Sequence, residues 1–167
     1  MLIPILISFA ILASFIVLSC ALFYGVPGSY SAFSAEWRTM FPRLNLWSVV
    51  TAVAAFCMAP PMIEAGAGDT LQCLGFCAPL YLIIVACTPE WDIHRTQHIV
   101  HTGGAIVCAV AAFAWLLFIR GHWWVVVPCI AAAVVAGWRT GTLPGSLVFW
   151  GEMVMFASVY LSLIIGG

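Results

Sequence analysis

Long, almost uninterrupted apolar runs dominate this chain and leave few folds open to it. Clusters of proline, glycine and charged residues separate runs of roughly 20 residues, which is the length of a helix that crosses the hydrocarbon core of a bilayer. The pattern predicts one all-α domain over residues 1–167, a transmembrane bundle of six helices. The predicted spans are roughly 2–25, 45–63, 70–88, 98–119, 122–138 and 145–166.

Composition agrees with a membrane protein and excludes another class. Hydrophobic residues make up 65% of the chain and charged residues only 7%, so a soluble domain of this size would have little polar surface to show to water. The net charge of −1 comes from five basic and six acidic residues, which is too sparse for a nucleic-acid interface. We therefore expect membrane lipids as partners and no nucleic acid, and a homo-oligomer is left open.

The two ends and the arginines give an expected orientation. The first span lacks a basic start and a clear cleavage site, so it is expected to be a retained helix rather than a signal peptide. Arg38, Arg43, Arg95 and Arg139 lie in the first, third and fifth connections, whereas Arg120 lies in an even one. By the positive-inside rule, the odd-numbered connections face the cytoplasm.

The seven cysteines all fall inside or at the edges of apolar runs. In that setting they are typical of small, reduced packing residues rather than of a disulfide framework.

Three of the four histidines stand close together before the fourth span, in "TPEWDIHRTQHIVHTGGA". If a helix begins near Asp92, then His94, His98 and His101 lie at i, i+4 and i+7, within an arc of about 60°. Imidazoles on one helix face could bind a divalent metal such as zinc or relay protons. The alternative is an interfacial helical turn whose histidines meet headgroups and water. His101 differs from the other two because it lies about one turn deeper.

A carboxylate inside the last span is the second unusual feature. Glu152 should lie on the order of 10 Å below the end of the bundle where the fourth span also begins, at a depth comparable to that of His101. A charge at such depth costs a few kcal/mol and is usually paired, facing a cavity or functional. We therefore expect Glu152 and His101 to share a pocket, with Ser31 and Asp92 near its mouth, although a serine in this connection is also ordinary turn chemistry.

Glu64 lies at the opposite end of the bundle. It follows Pro60 and Pro61, which can break the second helix there and expose its carbonyl groups. Glu64 is expected either to line a second vestibule or to be an interfacial turn residue.

The sequence resembles a known group of proteins along nearly its whole length. The similarity is carried by "YGVPGSYSAFSAEWRTMF", "APPMIEA", "APLYLIIVACTPEWD", "HIVHTGGAI" and "FWGEMVMFASVYLSLI". These strings resemble a group of small six-helix membrane proteins of unknown function that is common in Bacteroidetes, which implies a bacterial inner membrane. The recurring polar positions of that group correspond here to Ser31, Glu64, Asp92, His101 and Glu152. His94 and His98 lie outside the pattern, which weakens a three-histidine metal site.

A more distant similarity is to the Frag and damage-regulated autophagy modulator proteins, which are six-helix membrane proteins linked to lipid remodelling or lysosomal membranes. It depends on the proline and serine segment after the first helix, on an aspartate, and on the His-x-x-Gly-Ala-like start of the fourth. Membrane hydrolases of the alkaline ceramidase superfamily are similar only by analogy, because the last span lacks their late His-x-x-x-His.

Together these features predict an intramembrane polar pocket that binds a lipid headgroup or small amphiphile. Two alternatives remain at this stage. A metal-assisted membrane lipid hydrolase or transferase would use Glu152 or Asp92 as a base toward metal-bound water. A small proton-coupled transporter would use Glu152, His101 and Glu64 as stepping stones between the two faces.

Overall fold

The protein is almost entirely helical. The computed structural model describes residues 2–23, 25–42 and 45–166; it is 78% helical, and that part of the chain contains no strand. Seven α-helices are present in the described residues, so the predicted count of six is wrong. They are α1 (Leu2–Leu22), α2 (Phe33–Met40), α3 (Leu46–Ala65), α4 (Cys73–Ala86), α5 (Arg95–Ala114), α6 (Val126–Arg139) and α7 (Leu147–Ile165).

The additional helix is α2, which lies in the connection predicted to be irregular. A 3-10 turn at Tyr30–Ala32 leads directly into it, and the Ser29 side chain caps that turn by accepting a hydrogen bond from the backbone N–H of Ala32. Phe33 and Trp37 stand four residues apart and therefore share one helix face. Both are buried in the hydrophobic core, so this connection is a packed part of the bundle.

Within the described part of the chain, four helices are long and apolar enough to cross a membrane. They are α1, α3, α7 and α5 together with the π-helical turn at Trp115–Ile119 that extends it. By contrast, α4 has 14 residues and a length of about 21 Å, which is less than the roughly 30 Å of a hydrocarbon core. Large apolar side chains such as Phe56, Ile106 and Val110 are exposed on the outside of the bundle, as expected of a surface that faces lipid.

The helices α1, α3, α4 and α5 pack closely one on the next, and α7 completes a ring with looser contacts to α5 and α1. The remaining 14-residue helix, α6, packs on α7 and buries only Gly137. Because five helices surround a common interior, a cavity can form at the centre of the ring.

The two prolines in α3 do not end that helix, contrary to the sequence-based expectation. α3 continues through Pro60 and Pro61 to Ala65, although each proline removes one backbone donor. Tertiary contacts hold this last part of the helix in place, because the carbonyl of the fully buried Met62 accepts a hydrogen bond from Trp115 Nε1 at 3.1 Å.

Close backbone approach between α3 and α4 depends on one glycine. A Cβ atom added to Gly75 would lie 2.8 Å from the Met62 carbonyl carbon and even closer to its oxygen. A side chain at this position must therefore push the two helices apart.

We predict that Gly75→Ala lowers the free energy of unfolding by about 1–3 kcal/mol. Gly103→Ala is the matched control, because Gly103 also lies in a helix but an added Cβ would meet no atom within 4 Å. The control should be neutral or slightly stabilising, since alanine favours helix more than glycine does. Thermal unfolding of both variants in detergent measures the difference, and equal stability of the two would contradict the close approach of α3 and α4.

Candidate functional site

Three segments of the chain meet at the end of the bundle where α5 and α7 begin. The segment between α1 and α2 contacts the start of α7 through a hydrogen bond from the Phe149 N–H to the Gly28 carbonyl, 3.1 Å long. The turn between α4 and α5 contacts α2 through Arg38 and Asp92. The structure thus brings Ser31, Asp92, His101 and Glu152 to the same end of the bundle, as the sequence predicts.

His101 is the buried centre of this region. His101 is only 5% exposed, and both ring nitrogens have hydrogen-bond partners. Nδ1 lies 2.9 Å from Thr88 Oγ1, and Nε2 lies 2.9 Å from Ser31 Oγ. The ring stacks on Trp91, with centroids 5.0 Å apart and planes inclined by 18°. These contacts fix both the position and the rotation of the imidazole.

Glu152 has a different partner from the one predicted. Its Oε2 atom accepts a hydrogen bond from the backbone N–H of Tyr30 at 2.6 Å. Tyr30 begins the 3-10 turn that leads into α2, and an N–H at the start of a helix is a favourable donor to a carboxylate. Glu152 and His101 therefore bind neighbouring residues of the same segment, Tyr30 and Ser31.

A cavity of about 380 Å³ opens beside these two residues. Tyr30, Ser31 and Glu152 line one end of it. The remaining lining residues are apolar or small and come from α3, α4, α5 and α7: Met58, Met62, Ala78, Leu82, Val85, Ala105, Cys108, Ala109, Ala112, Gly151, Met155, Phe156 and Val159. Ala109 and Gly151 are also exposed on the outside of the bundle. The cavity is thus open toward the side of the bundle between α5 and α7.

His101 does not line this cavity itself but lies one hydrogen bond behind it. Ser31 stands between the two, because its hydroxyl contacts the imidazole and its side chain borders the cavity. His101 would therefore affect a ligand in the cavity only through Ser31.

Asp92 forms an ion pair at the mouth of this region. Arg38 Nη2 lies 2.8 Å from Asp92 Oδ2, and Arg38 Nη1 donates to Asp92 Oδ1 at 3.1 Å and to the Pro89 carbonyl at 2.8 Å. The hydrogen bonds that Arg38 donates to the Asp92 carboxylate hold the pKa of Asp92 below its usual value, and the same bonds raise the pKa of Arg38. Asp92 thus connects α2 with the turn that precedes α5. It does not line the cavity.

The predicted ladder of three histidines is not formed. α5 begins at Arg95 rather than near Asp92, and His94 precedes it with an extended backbone. His94 Nε2 lies 3.3 Å from a carboxylate oxygen of Glu90, and both side chains are largely exposed. Since His94 is outside the helix, it does not share a face with His98 and His101.

Metal binding at this place has no support in the geometry. His98 is exposed and stacks on Trp91, while both nitrogens of His101 are already hydrogen bonded. Among residues 2–23, 25–42 and 45–166, no three histidine, cysteine, aspartate or glutamate side chains lie close enough to hold one ion. All seven cysteines are free thiols, and Cys73 and Cys87 are exposed rather than packed in the interior.

Glu64 lies at the other end of the bundle and lines a second cavity, of about 510 Å³, together with Pro61, Ala65 and Arg120. Arg120 donates to the Ser162 carbonyl at 3.1 Å. Glu64 is an exposed residue near the end of α3 that borders this cavity.

Sequence reasoning missed the partners that complete the site. Thr88, the Tyr30 N–H and Arg38 were not assigned, because each contact joins separate connections. Thr88 carries a weak signal, since it is a hydroxyl residue directly after an apolar helix and shortly before the histidines.

Comparisons with known proteins add no family to this description. A scan with family models found no match, and searches of curated proteins and of solved structures found no similar protein. The functional interpretation therefore depends on the site itself.

We predict that Asp92→Asn lowers the midpoint of thermal unfolding at neutral pH. The free energy of unfolding should fall by at most about 1 kcal/mol, because both side chains of the ion pair are partly exposed. A carboxyl group with a lowered folded pKa stabilises the protein above its ordinary pKa of 3.8, and this stabilisation disappears as the pH falls through the lower folded value. The difference between the wild type and Asp92→Asn should therefore vanish in acid.

The control for this measurement is Glu36→Gln, which changes an exposed carboxylate in the first turn of α2. A stability difference for Asp92→Asn that persists unchanged to acidic pH would contradict the ion pair as its cause.

Proposed function

We propose that this chain is an integral membrane protein that binds a lipid headgroup or small amphiphile in the cavity beside Ser31 and Glu152. The observation that carries the proposal is the distribution of polarity in that cavity. Its walls are apolar side chains from four helices, and its polar groups are confined to one end. An amphiphile has the same division into an apolar chain and a polar head.

The size and position of the cavity support this proposal. Its volume of about 380 Å³ falls within the roughly 300–1,000 Å³ of ordinary small-molecule sites, which are also mostly apolar with a few placed polar groups. Ala109 and Gly151 are exposed on faces of α5 and α7 that also carry exposed apolar residues. A lipid chain could therefore reach the cavity from the surrounding bilayer without crossing water.

The polar end indicates the chemistry of the head. Glu152 supplies a carboxylate and Ser31 a hydroxyl, and the described residues that line the cavity include no arginine, lysine or histidine. A head that donates hydrogen bonds, such as a hydroxyl or an ammonium group, would satisfy these acceptors. A phosphate would meet the carboxylate with like charge.

The two alternatives from the sequence receive less support. A metal-assisted reaction needs a cluster of ligands that the described residues do not provide. A transport path would have to join the main cavity to the one beside Glu64, and among the described residues the two cavities share no lining residue.

Membrane location and orientation are part of the same proposal. Four helices have the length and composition of membrane spans, and the resemblance to the Bacteroidetes group supports a bacterial inner membrane. The proposed cytoplasmic location of the odd-numbered connections depends on the distribution of arginines. One of these, Arg43, lies outside the described residues. The link of the Frag and autophagy modulator proteins to lipids agrees with an amphiphile as the ligand.

We predict that Gly151→Leu reduces binding of an amphiphile without unfolding the protein. An added Cβ at Gly151 would meet no atom within 4 Å, so the new side chain can extend into the open space of the cavity. Binding of a fluorescent monoacylglycerol to the detergent-solubilised protein, together with native mass spectrometry of lipids retained on purification, measures the loss.

Gly103→Leu is the matched control, because Gly103 also lies in a helix with open space at its Cβ but does not line the cavity. The control should bind as the wild type does. Equal binding by both variants would exclude the cavity as the binding site.

A further inference from the structure

We propose that Ser31 is a nucleophile and His101 its general base, so that the protein cleaves the ester bond of an acyl chain bound in the cavity, or transfers that chain to another alcohol. This inference rests on the proposed function, because the acyl chain would occupy the same cavity. It goes beyond that function in assigning a covalent reaction to two residues that binding alone would not require.

The hydrogen bonds around His101 define which ring nitrogen carries the proton. Thr88 Oγ1 lies 2.7 Å from the Val85 carbonyl oxygen, which can only accept, so the single hydroxyl proton of Thr88 is used in that bond. Thr88 Oγ1 must then accept from His101 Nδ1–H, which lies 2.9 Å away. The other nitrogen, Nε2, therefore presents a lone pair.

That lone pair faces Ser31. Nε2 and Ser31 Oγ are 2.9 Å apart, within the range over which a general base can remove a proton. Because Nε2 accepts, the Ser31 hydroxyl must donate. A hydroxyl nucleophile bonded to a base that is in turn oriented by a third group is the arrangement that activates serine in covalent catalysis.

Access to substrate distinguishes Ser31 from the other buried serines that form hydrogen bonds. The others are Ser8, Ser19, Ser34, Ser146 and Ser162, and among all these serines only Ser31 lines the cavity. An ester whose chain lies against Met58 and Leu82 could place its carbonyl carbon near Ser31 Oγ. The base itself is shielded from the cavity and held by the Trp91 stack.

The reaction balances without an oxidant, a reductant or a metal. Ser31 Oγ forms a bond to the ester carbonyl carbon while its proton passes to His101 Nε2. The ester C–O bond breaks, and the leaving alcohol takes that proton. Water, or a second alcohol, then attacks the acyl-Ser31 carbon and gives its proton to Nε2, after which the Oγ–C bond breaks and Ser31 recovers its proton.

Thr88 is a positioning residue in this scheme. In a Ser-His-Asp triad the third residue is a carboxylate that orients the imidazole and also stabilises the imidazolium that forms. Thr88 supplies the orientation but no negative charge. We therefore expect the imidazole to depend on Thr88 for its tautomer, and the reaction to be slower than in triads with a carboxylate.

A serine-reactive probe tests the proposal directly. Full-length protein in detergent is treated with dodecyl fluorophosphonate or its ethyl analogue, and the adduct is located by intact mass and peptide mapping. We expect one adduct, on Ser31, formed faster with the dodecyl reagent. Gly151→Leu should slow the dodecyl reagent more than the ethyl reagent, since only the longer chain needs the cavity.

Variants separate a chemical role from a structural one. His101→Gln should slow modification by about 100-fold or more, the usual contribution of a general base. Thr88→Val should slow it as well, and Thr88→Ser should restore the rate because the hydroxyl returns. Ser8→Ala is the control serine variant, because Ser8 bonds to Ala54 and Tyr160 and not to the imidazole or Trp91, and it should react as the wild type does.

Amphiphile binding is measured on every variant, so that loss of folding is not mistaken for loss of reactivity. An unmodified Ser31 in protein that still binds amphiphile and is still sensitive to Gly151→Leu would overturn this inference and leave the proposed function standing. Modification at the wild-type rate in His101→Gln that binds amphiphile would overturn it too. Absence of both modification and binding in the folded wild type would overturn both proposals.

Discussion

The hydrogen bonds of the buried His101 ring hold together the end of the bundle that carries the site. An imidazole in an apolar interior is costly unless both nitrogens are satisfied, and here one binds Thr88 after α4 while the other binds Ser31 before α2. Through Ser31 the imidazole ring fixes the segment between α1 and α2, in which the N–H of the adjacent Tyr30 donates to Glu152 of α7. Two connections and the start of α7 thus take their relative positions from one side chain, and the polar end of the cavity is a consequence of that arrangement.

Small residues shape the rest of the cavity in two opposite ways. Gly75 lets α4 approach the backbone of α3 closely, so that this side of the ring is tight. On the opposite side, Ala109 and Gly151 face a gap between α5 and α7, and the space that larger side chains would fill remains open. The same residue types therefore produce a close helix contact in one place and a lateral opening in another.

The sequence predicted the long helices and the two central polar residues, but not how those residues are paired. Apolar runs locate long helices well because lipid and core both select for them, and His101 and Glu152 stood out as polar groups within such runs. The eight-residue α2 was missed because its buried face consists of two aromatic residues inside a polar-looking segment. The prediction of three histidines on one helix face was wrong because residues 89–93 form turns, so that α5 begins only at Arg95. Partners such as the Tyr30 N–H depend on backbone conformation and helix rotation, which periodicity does not specify.

The central claim is that an acyl chain lies inside the ring with its head at Ser31 and Glu152, and photocrosslinking measures this most directly. A monoacylglycerol with a diazirine near the end of its chain is bound to the detergent-solubilised protein and irradiated, and the modified peptides are mapped. The account predicts adducts on residues deep in the cavity, such as Met58, Met62 and Ala112. Adducts confined to outward-facing residues of the same helices, such as Phe56, Ile106 and Val110, would contradict it.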